Sequence, residues 1–495
     1  MKWTLLLLVS IVCAQSPETD RRAHARKMLD MTADMVASVR TEVQVSALLH
    51  LADNYHVFDT ERAEEMIAQA FTAAESLEKR KRDALQGEIV RTAASIRVER
   101  AVEMWRQMQA PPPRALERIV ESLIEGKKFD QAIALLGESN PYSYGAANRI
   151  LSKLADQDPR REVVFASAVA AFQSKPDLQT MGASMLTVLA EHWRKLPPPM
   201  VEEAAKAAVN WLLEQKPTDN LTASLSGSKG SVTFTDRANL RLFELMPVIA
   251  ETAPKLAKAT LESRPELRAA YEKFPEGRKS LGEDNFSFRI SQTDGPMDPS
   301  AQARMRLDGE AQTKTFQALA LLKEGPDKAL DLVPTIANPA KQAEVLAAAA
   351  RSVGEKDPGK ASGLLGRCME LLGEIKEPET RVSAWDAVAE AAHRVHDHQT
   401  AWTAMEKALE DIHSLYKADI DEQAPNEALR ENWPSTQHFR RVVSMATRLY
   451  GVAAEPMLGK ILDHELRLLA QIEMAQALLG RPRTSGSISV SRSRR

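Results

Sequence analysis

Apolar residues recur every three or four positions through most of the chain. In ERAEEMIAQAFTAAESL (61–77), Ala63, Met66, Ile67, Ala70 and Phe71 fall at i, i+3, i+4, i+7 and i+8, with polar residues between them. That spacing predicts an amphipathic α-helix with one buried stripe. Such segments follow one another from about Arg21 onward. They are interrupted at PPP (111–113), EGKKFD (125–130), SNP (139–141), QDP (157–159), PPP (197–199), EGPD (324–327), ANP (337–339), EKDPG (355–359) and KEP (376–378). Each interruption suits a helix stop followed by a restart, because a proline in a first turn lacks only an N–H that would be unpaired anyway. Many helices joined by short turns predict antiparallel hairpins in series.

A finer pattern lies inside these helices. A small residue, a large one four positions on and a small one three further recur at Ala63/Ile67/Ala70, Ala132/Leu136/Ser139, Ala329/Val333/Ile336, Ala361/Leu365/Cys368 and Ala401/Met405/Ala408; at 336 the last slot holds isoleucine. The first position is expected where two helices cross, since axes ~8–10 Å apart admit a β-carbon but no Leu. The large residue then fills a groove. Ala349 and Ala389 stand twelve residues before Ala361 and Ala401, as expected of partners on the first helices.

This arrangement resembles the tetratricopeptide repeat, most clearly over 311–412 and more weakly over 42–140. Val388, Ala389, Ala401, Met405 and Ala408 fit the family pattern, whereas the family's tryptophan, first-helix tyrosine and closing proline have no counterparts. The spacings from Ala329 to Ala361 and from Ala361 to Ala401 are 32 and 40 residues, against the usual ~34. The expected fold class is all-α, an α-α superhelix or solenoid of antiparallel hairpins with an irregular middle segment. The expected divisions are 21–215, an irregular insert at 216–297, and 298–480. The insert carries a long helical stretch from Asp236 to Lys273, broken at Pro247, Pro254 and Pro265. SVTFT (231–235) and NFSFRI (285–290) alternate like strands and are read as extended loops pinned by aromatics, or else as a two-stranded ribbon.

The first residues, MKWTLLLLVSIVCAQS, place Lys2 before an apolar run too short to span a bilayer and small residues before Gln15. Residues 1–14 are therefore expected to be an export signal. Its removal leaves Cys368 as the one cysteine, so the fold must be held by packing without an intrachain disulfide. The tail, 481–495, has no periodicity, is rich in arginine and is expected to be disordered. The formal net charge of −3 offers no basic field for nucleic acid. Aromatics at 5% disfavour sugar-stacking clefts.

Chemical constellations are sparse. Ser226 and Lys229 make a Ser-x-x-Lys in a glycine-containing loop, where that chemistry needs a helix start in a rigid cleft. His393, His396 and His398 beside Asp397 suggest a metal or a polar hairpin turn capped by Asp397. Cys368 is expected to be buried and inert. His192 and His464 adjoin carboxylates, yet neighbours on a helix point in different directions. The proline triplets are expected to be stiff turns rather than ligands. Sequons stand at NLT (220–222) and NFS (285–287). No residue is assigned to catalysis, to a cofactor or to a metal. The functional expectation is an exported, periplasmic or secreted scaffold that binds a protein or peptide and has no transmembrane segment once the signal is removed. The alternative is an envelope enzyme of α/α type acting on polysaccharide or murein. A pocket gathering two acids and two aromatics would favour the enzyme, and an open groove would favour binding.

Overall fold

A computed structural model describes residues 18–109, 111–175, 184–215, 221–227, 229–282, 287–292, 299–423 and 429–481. The expected signal at 1–14 and the tail beyond 481 lie outside the described residues. The helices are α1 (Glu18–Met35), α2 (Thr41–Tyr55), α3 (Thr60–Ala74), α4 (Lys79–Ile96), α5 (Val98–Gln107), α6 (Pro113–Glu125), α7 (Phe129–Glu138), α8 (Tyr144–Lys153), α9 (Arg160–Ser174), α10 (Met185–His192) and α11 (Pro198–Glu214). Strands β1 (Leu221–Gly227) and β2 (Gly230–Phe234) follow, then α12 (Arg237–Thr252), α13 (Pro254–Ser263), α14 (Pro265–Lys273) and β3 (Ser287–Gln292). The remaining helices are α15 (Pro299–Leu321), α16 (Pro326–Leu332), α17 (Pro339–Val353), α18 (Pro358–Glu374), α19 (Pro378–Arg394), α20 (His398–Gln423), α21 (Pro434–Tyr450) and α22 (His464–Leu478). The fold class is all-α, and no helix among the described residues is long and apolar enough to cross a membrane.

The chain forms two compact units, one of residues 1–92 with 299–495 and one of residues 93–298. In the first, α15 to α22 pack each against the next, and α22 then packs against α1 and α2. The N-terminal helices thus continue the row after the last C-terminal helix. In the second, α5 to α12 pack in succession, and the region expected to be irregular holds α12, α13, α14 and a sheet.

That sheet corrects the strand reading. Its order is β2-β1-β3, all antiparallel, with Leu225 opposite both Val232 and Phe288. Segments 231–235 and 287–290 do not pair with each other; both flank LTASLSG (221–227), which the Ser, Gly and Thr content had marked as loop. Asp236 caps α12 by accepting from the Ala238 N–H at 3.0 Å, Pro247 sits inside that helix, and Pro254 and Pro265 open the next two.

The small-large-small slots fall mostly as expected. Ala63, Ala132, Ala329, Ala361 and Ala401 are fully buried, as are Ala349 and Ala389, with Ile67, Leu136, Val333, Leu365 and Met405 beside them. Two positions differ. Ser139 is a half-buried helix cap whose hydroxyl donates to the Leu136 carbonyl at 2.7 Å. Ile336 is buried, but α16 has already tightened into a 3-10 turn at Val333–Thr335, where Pro334 cannot donate to the ladder. Neighbouring hairpins also approach closely at Gly354, where a β-carbon would stand 2.1 Å from Val395 Cγ1 and 2.9 Å from its Cβ. Replacing Ala401 by leucine should overpack a sealed crossing and cost ~1–3 kcal/mol. An unchanged melting midpoint would place Ala401 off that crossing.

Candidate functional site

The junctions between hairpins share a device that the sequence patterns did not reveal. A carbonyl at position i accepts a side-chain donor from i+6, in the first turns of the next helix. Gln342 Nε2 donates to the Ile336 carbonyl at 2.7 Å, Arg381 Nη1 to Ile375 at 2.6 Å, Gln437 Nε2 to Glu431 at 2.5 Å and Arg467 Nη2 to Ile461 at 2.6 Å. The N-cap falls at i+2 in each, as Asn338, Glu377, Trp433 and Asp463, and proline follows at i+3 in the first three. The brace satisfies a carbonyl orphaned by a helix end or turn and fixes how the next helix leaves it. The signal is a spaced motif, Ile-x-(Asn/Asp/Glu)-Pro-x-x-(Gln/Arg), legible as such at 336–342 and 375–381.

Two successive braces build the margin of an open groove of about 610 Å³ in the first unit. Its apolar lining comes from Leu307 and Ala311 on α15, Ala337 and Pro339 at the start of α17, and Ile375 at the end of α18. Leu307 is 49% exposed, a large apolar side chain left open. Asn338, Glu374, Lys376, Glu377 and Thr380 supply the polar margin. Glu374, Lys376 and Glu377 are exposed, and none has an ion-pair partner among the described residues. The groove has carboxylates but no aromatic ring.

Acids and aromatics do gather elsewhere in this unit, where α2 meets the C-terminal helices. Glu465 accepts Arg40 Nε and Nη2 at 3.0 and 2.8 Å and also pairs with Arg430. Glu42 accepts Lys81 Nζ at 2.8 Å and the Arg430 backbone N–H at 2.6 Å. Burial nevertheless lifts the Glu42 carboxyl above its ordinary range. Glu431 is buried, with His50 Nε2 3.5 Å from its Oε2. Burial alone would raise Glu431; the His50 imidazole, Arg440 and the Ser46 hydroxyl outweigh it and hold the carboxyl below its usual range. Tyr416 and Trp433 present their faces to the Arg430 guanidinium, at 5.3 and 5.0 Å from the ring centroids. Cations thus pair the carboxylates and cover the ring faces, and the cluster acts as a clasp between the N-terminal and C-terminal segments.

The other constellations resolve individually. His396 takes a left-handed φ of 62° in the α19–α20 turn, which closes through Asp397 N–H to the Ala392 carbonyl at 2.9 Å. Asp397 caps α20 by accepting from the Thr400 N–H at 3.1 Å. The His393 and His398 rings lie 5.3 Å apart and both pack on Tyr450. Burial, with His398 and His396 nearby, lowers the His393 pKa. Among the described residues no group of three His, Cys, Asp or Glu side chains is placed to hold a metal ion. Ser226 lies on β1 opposite Ser231, and the Lys229 N–H donates to the Leu281 carbonyl, so Ser-x-x-Lys occupies a strand and turn rather than a helix start. Cys368 is buried, donates to the Ala343 carbonyl at 3.4 Å, and burial pushes its thiol up to about 12. Asp463 caps α22, while His464 meets the Ser38 hydroxyl at 2.8 Å. Pro113 and Pro198 are the first residues of α6 and α11.

No family model matches the chain, and no curated protein matches it. Two solved structures are similar to it over most of their length. The crystal structure of Ton1535 from Thermococcus onnurineus NA1 is 10% identical, covers 89% of this chain and 94% of its own, and has a TM-score of 0.19. A circular tandem repeat protein with novel repeat topology and enhanced subunit contact surfaces is 13% identical, with coverages of 94% and 97% and a TM-score of 0.20. At such scores neither bears on function, and the helical-repeat architecture stands on this chain's own packing.

Proposed function

We propose that this chain is an exported helical-repeat scaffold that binds a protein or peptide segment in the cell envelope. The observation that carries the reading is the braced groove. It is open, has an apolar floor, and bears carboxylates that pair with no cation among the described residues. Hairpins in series commonly present extended binding surfaces, and a pre-formed apolar cleft with a few polar groups at its margin suits a peptide. Export rests on the first fourteen residues alone. The enzyme reading is disfavoured because the cluster of acids and aromatics around Glu465, Tyr416 and Trp433 is filled by Arg40, Arg430 and Lys81.

Panning a randomised peptide library against the full chain tests the groove. Enriched peptides should bind the native protein and fail on Ala337→Trp, which fills the cleft from an exposed position. Enrichment indifferent to that substitution, or none, would overturn the reading.

A further inference from the structure

The groove asks for a segment with two or three apolar side chains and flanking positive charge. This chain carries such a segment at 482–495, PRTSGSISVSRSRR. It contains Arg483, Arg492, Arg494 and Arg495 and no acid, and Ile488 and Val490 alternate with serines. In an extended conformation Ile488 and Val490 share one face. Glu374 and Glu377 would receive the arginines, Lys376 being the one opposing charge in the lining. We propose that residues 482–495 of a second copy of this chain occupy the groove. This rests on the groove being a peptide site.

The geometry favours a second copy over the chain's own tail. Arg481 bonds to Asp53, near the C-terminal end of α2. The opposite end of α2, at Arg40 and Glu42, is held to Arg430 and Glu465, beside the starts of α21 and α22. Tyr450, the last residue of α21, packs on His393 at the end of α19, and Arg441 midway along α21 meets Asp386 and Ser383 midway along α19, so those helices run parallel and start at the same end. The groove lies at that end, where α17 and α19 begin. The root of the tail is therefore one helix length away, ~22 Å at 1.5 Å per residue. Three helix-to-helix steps of ~8–10 Å run across that axis, and the two legs at right angles give a straight path of ~35 Å. At ~3.4 Å per residue the first ten tail residues would be spent on that path, and Ile488 and Val490 could not reach their own floor. From another molecule they can. Such a contact joins two different surfaces, so it closes by reciprocal exchange or as a ring, or else runs on head to tail.

Sedimentation velocity on the full chain tests this. Native protein should self-associate with rising concentration, less so in high salt. Either Glu374→Lys with Glu377→Lys, or Arg492→Glu with Arg494→Glu and Arg495→Glu, should weaken association by about tenfold or more. Mixing the two charge-reversed proteins should restore it, because each tail then meets a groove of opposite sign; misfolding of either variant could not produce that rescue. A native chain that stays monomeric, variants that associate like the native protein, or a mixture that fails to recover would each overturn the inference. A monomeric chain that still selects groove-binding peptides from the library would sink this proposal alone and leave the groove's role standing.

Discussion

Glu473→Ala should destabilise the first unit by about 3–5 kcal/mol, the usual cost of removing one member of a buried ion pair. Arg440 Nε stands 2.9 Å from Glu473 Oε2, and the two side chains are 6% and 2% exposed. The pair joins α21 to α22, the helix on which α1 and α2 dock. Without Glu473 a buried guanidinium is left facing a more distant carboxylate, Glu431. Replacing both partners, as Arg440→Met with Glu473→Leu, removes both charges and should recover most of the loss. Denaturant unfolding of the three variants measures it. A loss below ~1 kcal/mol for Glu473→Ala would show that Glu431 already balances Arg440.

The second large effect is a pH dependence at His192 in the other unit. Its ring is 6% exposed, and Nε2 lies 2.5 Å from Asn148 Oδ1, while Asn148 Nδ2 donates to Glu191 at 2.9 Å. Burial first, then the charges of Arg161 and Lys195, push its pKa down to about 4. Between that value and the ~6.5 of an unfolded histidine, the unfolded chain binds a proton that the native one refuses. The contribution is thus fully present above pH ~6.5 and is lost as pH falls toward 4. The loss should be about 3 kcal/mol, from ~2.5 pH units at 1.36 kcal/mol each. His192→Gln keeps a donor for Asn148 and removes the titration, so the native protein should lose stability relative to the variant as acid is added. Parallel curves from pH 7.5 to 4.5 would show that the ring takes up its proton without cost.

What the sequence made legible was local. Helix periodicity, proline restarts and the small residues at hairpin crossings depend on neighbours a few positions away, so Ala361, Leu365 and Cys368 fell where their spacing placed them. β1 escaped because its pattern, LTASLSG, is that of a turn; its strand character comes from β2 and β3 on either side. Ser139 and Ile336 missed their slots because Ser139 ends a helix and Pro334 ends another. The braces were legible in principle, but only as a seven-residue motif that joins a carbonyl to a side chain, which hydrophobic patterning does not register. The clasp of Arg40, Glu42, Arg430 and Glu465 was not legible, since nothing local to either segment announces a partner hundreds of residues away. The groove was no more legible, since α15, α17 and α18 form it jointly.

The bond from Arg481 to Asp53 spans 428 residues of chain. At ~5–20 residues per second of synthesis, a nascent α2 waits roughly 20–90 s for the helix that covers it. During that interval the face of α2 that packs against α22 has no partner. Contacts of this reach therefore impose an order of events on a newborn polypeptide: the front of the chain completes its packing only when the back arrives.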